Sequence, residues 1–279
     1  MSGTVIISLI TMAGLGLLFA GLLGLAHTKL KVEVDPKVAK VEDALLGIDC
    51  GACGYPGCHQ CAVNIVRGNA PPDACVPGGE EVAEKVADIM GLEIGSEPGK
   101  KLLAVVHCGA TEEYKQRTGA YEGIKSCRTA ELTVGGDIEC EYGCLGYGDC
   151  EKACPFDAMH VSESLAEVDP DKCTGCGVCV EACPRDIITV EEVNLAGDFV
   201  SVACNSRESG ATIRQKCKVG CIGCKLCEKS APEGVFTVED NLARIDYSLI
   251  EDEMDLDKAV EKCPVDCILN LPKPNTKEQ

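Results

Sequence analysis

The chain has 279 residues, 22 of them cysteine, and a formal net charge of −19. That charge excludes a sequence-independent grip on nucleic acid, which needs Lys and Arg to neutralise phosphates. With 4% aromatics and no Trp, the chain is expected to divide its apolar residues among small modules that metal staples together, rather than build one large core.

Residues 4–26, TVIISLITMAGLGLLFAGLLGLA, carry no charge and exceed the roughly 20 residues that cross a bilayer core. Residues 1–28 therefore read as a transmembrane anchor. A cleaved signal peptide is the weaker reading, because a basic n-region is missing and the apolar run is long for an h-region. No Lys or Arg precedes the helix, whereas Lys29, Lys31, Lys37 and Lys40 follow it. The positive-inside rule puts the N-terminus outside and the rest in the cytoplasm. Gly16, Ala20 and Gly24 recur on one face, either as a small-residue packing stripe or as the ordinary glycine content of membrane helices.

Residues 29–36 read as a linker ending at Pro36, and residues 37–99 as a small, mostly helical domain. Helical spacing over 38–46 leads into Cys50, Cys53 and Cys58, where Gly51, Gly54 and Gly57 let the backbone turn tightly. A helix over 58–67 is broken by Pro71-Pro72, Cys75 returns a fourth ligand, and 80–90 is an amphipathic helix. Residues 102–108, LLAVVHC, read as a strand within a connector, 100–135, and residues 199–204, FVSVAC, as a strand within a strand-and-turn segment, 193–212.

Residues 136–192 hold Cys140, Cys144, Cys150 and Cys154-Pro155, then Cys173, Cys176, Cys179 and Cys183-Pro184. The second run is Cys-x-x-Cys-x-x-Cys-x-x-x-Cys-Pro, the bacterial ferredoxin pattern, whose fourth Cys reaches across to the other cluster. Cysteine-rich chains are either secreted disulfide scaffolds or metal proteins of reducing compartments. A triplet that converges three thiolates on one soft centre argues for metal. Zinc sites share the Cys-x-x-Cys pair but lack the third Cys and the Cys-Pro close.

Crossed ligation places one [4Fe-4S] cluster on Cys140, Cys144, Cys150 and Cys183, and another on Cys173, Cys176, Cys179 and Cys154. In residues 213–279, CKVGCIGCKLCEKSAP from Cys217 aligns without gaps on CEYGCLGYGDCEKACP from Cys140. Tyr147 then faces Cys224, and Ala231 faces Cys154. This segment reads as a degenerate ferredoxin-like domain with one cluster on Cys221, Cys224, Cys227 and Cys263-Pro264. Cys50, Cys53, Cys58 and Cys75 make the remaining set, so about four [4Fe-4S] clusters are expected. Cys61, Cys108, Cys127, Cys204, Cys217 and Cys267 are left as small buried hydrophobes, spare ligands or a fifth cluster; Cys61, Cys217 and Cys267 are the first candidates for spare ligands. The fold class is α+β: an anchor helix, a small helical [4Fe-4S] domain, then bacterial ferredoxin-like modules with short strands and helices.

The anchor, the segment CGACGYPGCHQCAVNIVRGNAPPDACVPGG over 50–79 and the downstream ferredoxin motifs together resemble the B subunit of the Rnf complex, in the longer form of anaerobic bacteria. The resemblance covers essentially the whole chain. It implies a membrane complex that passes electrons between reduced ferredoxin and NAD while moving Na+ or H+. The B subunit would be its cytoplasmic iron–sulfur protein, with soluble ferredoxin as donor and the other membrane and cytoplasmic Rnf subunits as partners. It also implies a first cluster on Cys50, Cys53, Cys58 and Cys75, and two more on the eight cysteines from Cys140 to Cys183.

No strand–GxGxxG–helix unit or GxxxxGK-Ser/Thr loop is present, so nicotinamide binding is expected on a partner. The chain is then a translocase subunit without a substrate site or catalytic acid or base of its own. Its abundant Asp and Glu are expected to lower cluster potentials. Ser209-Gly210-Ala211-Thr212 resembles a covalent flavin attachment sequence, but Ile213 follows it, and it reads instead as a strand-end turn like Gly109-Ala110-Thr111. His59, His107 and His160 read as structural. The motifs alone also fit the wiring subunit of a membrane hydrogenase or formate-oxidising complex. A membrane redox sensor is a third reading, without a recognisable output domain in residues 80–279.

Overall fold

The computed structural model describes residues 2–30, 35–92, 100–194, 199–251, 254–272 and 274. Helix α1, Ser2–Leu30, is long and apolar enough over Ile6–Ala26 to cross a membrane. Its Ile10, Met12, Leu17 and Leu23 all stand exposed, a surface that water penalises and hydrocarbon accepts. A Cβ built on Gly16 or Gly24 meets nothing within 4 Å, so the small-residue stripe has no partner among the described residues.

Helices α2 (Pro36–Ala44), α3 (Cys58–Val66) and α4 (Gly79–Met90) form the first cysteine-bearing unit. Asp35 caps α2 through the Lys37 N–H, and Pro36 sits in its first turn, where a missing N–H costs nothing. Val38 and Val41 of α2 meet Ile65 of α3 and Val82 and Val86 of α4 in a small core. The three helices expected from periodicity are present within a turn at each end.

Residues 100–194 build the second unit. In chain order it has β1 (Lys100–Val106), α5 (Cys127–Val134), α6 (Asp149–Ala153), the hairpin strands β2 (Met159–Ser162) and β3 (Leu165–Val168), α7 (Val178–Ala182) and β4 (Ile188–Asn194). The third unit repeats that order with β5 (Val200–Val202), α8 (Gly210–Lys216), α9 (Leu226–Ser230), β6 (Phe236–Glu239), β7 (Leu242–Ile245), α10 (Asp257–Glu261) and β8 (Ile268–Asn270). In both, the outer strands pair antiparallel, β1 with β4 and β5 with β8, and the inner hairpin stands apart.

These pairings draw boundaries other than the expected ones. Residues 100–135 belong with 136–192, because β1 is the partner of β4. Likewise the segment 193–212 contributes β5 to the unit that follows. Ser209-Gly210-Ala211-Thr212 is the start of α8 rather than a strand-end turn: the Ser209 hydroxyl accepts the Thr212 N–H at 3.3 Å.

Both hairpins turn through two left-handed residues, Glu163 and Ser164 (φ 47° and 62°) and Asp240 and Asn241 (φ 48° and 63°), which suits the twist of two-residue loops. Gly146 and Gly223 pass beneath these turns at φ +76° and +64°. A Cβ on Gly146 would run into the Ser164 backbone, and one on Gly223 would lie 2.9 Å from Asn241 Cα. The two units pack on each other: the Gly109 N–H donates to Ala203 O at 2.9 Å, and the Tyr247 ring lies 6.4 Å from that of Phe199, which is buried in the core of the second unit.

Candidate iron–sulfur sites

In the first unit Cys50, Cys53, Cys58 and Cys75 line one cavity, with Cys61 behind them. Asp49, left-handed at φ 49°, aims Oδ1 at the Cys58 N–H, 2.6 Å away, and so starts α3 at Cys58. Gly57 sits at φ +119°, and a Cβ there would approach Asp49 Oδ1 to 2.9 Å. Cys61 is buried. Burial first, then Cys53, toward which its S–H points, push the Cys61 thiol up to about 12. It is placed as a donor to the Cys53 sulfur.

The second unit brings Cys127, Cys144, Cys150 and Cys183 around one cavity. Burial pushes Cys150 up to about 12, with Cys144, Cys127 and Cys183 adding to it. Cys140, expected in this set, lies elsewhere, and Cys127 stands in its place. Two contacts explain this. Asp149 Oδ2 accepts from Ser126 Oγ at 2.9 Å and from the Arg128 N–H at 3.0 Å, and so pins the start of α5, with Cys127 between them, to the start of α6. Tyr147, at the position of the missing central Cys, turns its hydroxyl to Asp137 Oδ2 at 2.7 Å and leaves the cavity open.

Cys154, Cys173, Cys176 and Cys179 form the other set of this unit. Burial pushes Cys179 up to about 12, with Cys173, Cys176 and Cys154 adding to it. Cys154 comes from the end of α6, as crossed ligation requires. Cys176, raised first by burial, also feels Cys50.

In the third unit Cys221, Cys224, Cys227, Cys263 and Cys267 line one cavity. Cys267 Sγ is 3.6 Å from Cys263 Sγ. Its S–H, shared with Cys221 and Cys263, lowers both of those thiols, and the same contacts raise its own. Cys267 is thus a second buried donor, counterpart to Cys61. The expected set Cys221, Cys224, Cys227 and Cys263 is otherwise gathered as a group.

A turn that sequence reasoning passed over recurs at Cys154-Pro155-Phe156-Asp157, Cys183-Pro184-Arg185-Asp186 and Cys263-Pro264-Val265-Asp266. The Asp of each is left-handed, at φ 51°, 49° and 49°. The bend returns a later N–H to the Cys sulfur: Ala158 to Cys154 at 3.3 Å, Cys267 to Cys263 at 3.4 Å, and Ile187 to Cys183. The recurring Asp was the available signal, since Asp tolerates that conformation better than most residues. Donors aimed at sulfur favour the charged form of a ligand thiolate.

The histidines are occupied otherwise. His59 Nδ1 bonds Glu42 Oε2 at 2.7 Å and His160 lies 3.8 Å from Glu151. His107 donates from Nδ1 to Val202 O at 3.0 Å and contacts Thr189 Oγ1 through Nε2 at 2.9 Å. Cys108, Cys140, Cys204 and Cys217 line a further cavity between the second and third units.

The donor sets fit [4Fe-4S] clusters, which take four Cys thiolates. Among the described residues no three His, Cys, Asp or Glu side chains are gathered so as to hold a single ion.

Family models match at three places: a putative Fe-S cluster over residues 46–77, a 4Fe-4S binding domain over 166–189, and a 4Fe-4S single cluster domain of ferredoxin I over 218–270. The B subunit of the Na(+)-translocating ferredoxin:NAD(+) oxidoreductase complex of Acetobacterium woodii is 41% identical over 254 residues, 91% of this chain and 74% of that protein. The B subunit of the proton-translocating ferredoxin:NAD(+) oxidoreductase complex of Clostridium ljungdahlii is 42% identical over 267 residues, 95% of this chain and 92% of that protein. The B subunit of the ion-translocating oxidoreductase complex of Methanosarcina acetivorans is 36% identical over 221 residues, 79% of this chain and 82% of that protein.

Proposed function

The chain belongs to the family of B subunits of the ion-translocating ferredoxin:NAD(+) oxidoreductase complexes, and from that premise we propose that it is the iron–sulfur electron-transfer subunit of such a complex, taking electrons from reduced ferredoxin. The observation that carries this reading is the convergence of four cysteine sets on turns whose N–H groups point at sulfur. We assign the clusters to Cys50, Cys53, Cys58 and Cys75; to Cys127, Cys144, Cys150 and Cys183; to Cys154, Cys173, Cys176 and Cys179; and to Cys221, Cys224, Cys227 and Cys263.

Bound there, [4Fe-4S] clusters supply one-electron chemistry at potentials that the protein tunes. The chain's part is to hold thiolates at fixed spacing, keep them dry and set the local charge. N–H and S–H donors favour the more negative state, and the formal charge of −19 opposes it and lowers the potential. Exchanged ligands, Cys154 for one set and Cys183 for the other, hold two sites of the second unit side by side. Cys50 lies within electrostatic reach of Cys176.

Helix α1 anchors the chain in the membrane with its N-terminus outside, leaving the cysteine-bearing units in the cytoplasm. Nicotinamide chemistry and ion movement fall to other subunits. Replacing Cys176 with Ala in the assembled complex is expected to remove one cluster signal in EPR and to stop ferredoxin-dependent NAD reduction; full activity in that variant overturns the reading.

A further inference from the structure

Resting on the iron–sulfur reading above, we propose that Cys108, Cys140, Cys204 and Cys217 hold a fifth iron–sulfur cluster, seated between the second and third units. The four line one cavity, as the thiols of the neighbouring sites line theirs. Each unit contributes two equivalent residues. Cys108 and Cys204 follow the matching strands β1 and β5, and Cys140 and Cys217 occupy the same position of the internal repeat.

The backbone treats these sulfurs as it treats those of the other sites. Cys144 and Cys221 each accept the N–H two residues on, from Gly146 and Gly223. Cys140 accepts in the same way from Tyr142, Cys217 from Val219 and Cys204 from Ser206. Cys108 accepts the N–H of Cys144 at 3.4 Å, and Cys204 accepts that of Cys221 at 3.2 Å. Two ligands of neighbouring sites therefore donate into this cavity, and Gly143 lines both it and the Cys144 cavity. The cavity forms a junction between the units.

Charge also fits. In a strongly acidic chain, Lys115 and Lys216 both line this cavity, where a cluster with four thiolates would be anionic; Lys216 also pairs with Glu208 at 2.6 Å, and Lys115 donates to Ser164 O. His107, the other metal-ligand type at the wall, has both ring nitrogens engaged. The four Cys remain as the complete donor set that a [4Fe-4S] cluster needs.

The test is iron counting and iron anomalous scattering on the full chain in its anaerobically purified complex. About twenty irons in this chain, rather than about sixteen, are expected from four irons per cluster, with an anomalous peak inside the cavity. The Cys204→Ala/Cys217→Ala variant should lose about four irons and one EPR signal, and keep the others. An unchanged iron count in that variant, or a single zinc in the cavity, overturns the proposal. Where the variant fails to assemble, the wild-type anomalous map decides, and no iron peak in the cavity overturns it. Peaks at the four other sites and none here would refute the fifth cluster alone; no iron at any site would refute the functional reading as well.

Discussion

Residues 100–194 and 199–272 follow the same path, strand, helix, cysteine loop, hairpin and closing strand, yet they complete their shared cavity differently. The third unit takes its central thiol, Cys224, from the cysteine loop, and has a fifth thiol, Cys267, on the cavity wall. The second unit has Tyr147 where Cys224 would be and Ile187 where Cys267 would be; it brings Cys127 in on a helix that Asp149 ties down. What the two units share is a position in space rather than a spacing in sequence. Only the second unit has a further set, through Cys154, Cys173, Cys176 and Cys179, because the third has Ala231 in place of Cys154 and no Cys at all between Cys227 and Cys263.

Ligand exchange is the strongest way to break this comparison. Cys127→Ala and Cys224→Ala should each remove one cluster, about four irons, and loosen only their own unit, since metal binding and folding are linked. Adding Tyr147→Cys to the Cys127→Ala chain rebuilds the triplet spacing and should restore those irons. If iron counting shows that Cys127→Ala retains every iron, the equivalence is wrong.

Arg185 marks the next difference. Its guanidinium is buried and reaches Glu131 at 2.8 Å and the carbonyls of Cys140, Gly143 and Gly135 at 2.6, 3.1 and 2.8 Å. The third unit has Val265 at the matching position. Arg185→Met strands these partners and should cost about 3–5 kcal/mol, against about 1 kcal/mol for Val265→Ala; denaturant midpoints of the cluster-loaded chain would show the contrast. Equal losses would remove the distinction.

Gly146→Ala and Gly223→Ala should be alike, each costing about 1–3 kcal/mol, because both force a Cβ into a left-handed position under a hairpin turn. A large gap between them in the same midpoints would show that the units are less equivalent than their traces.

The smallest effect is expected at Cys267. Cys267→Ala removes an S–H donor but no proposed ligand, so the iron count should stay and one potential should fall by about 20–60 mV, one weak hydrogen bond. Redox-titrated EPR reads this directly, and loss of a cluster would instead make Cys267 a ligand.

Much of this molecule was legible locally. The apolar helix, the triplets Cys173–Cys176–Cys179 and Cys221–Cys224–Cys227 and the group around Cys50 lie in short segments where spacing and loop geometry nearly coincide. The roles of Cys127, Cys108 and Cys204 were not legible, because each depends on strand pairings and side-chain anchors distant in the chain. Tyr147 was visible as a departure from the repeat, but only its bond to Asp137 shows why the cavity beside it stays open.

By itself the sequence determined the chemistry, thiolates for iron on an acidic chain with a bilayer-length helix, because residue type and short spacing are local properties. That Cys127 rather than Cys140 joins Cys144, Cys150 and Cys183, and that Cys108 and Cys204 meet Cys140 and Cys217, was decided only by the tertiary structure. A cluster needs its ligands converged in space, and here antiparallel pairing of β1 with β4 and β5 with β8 performs that convergence.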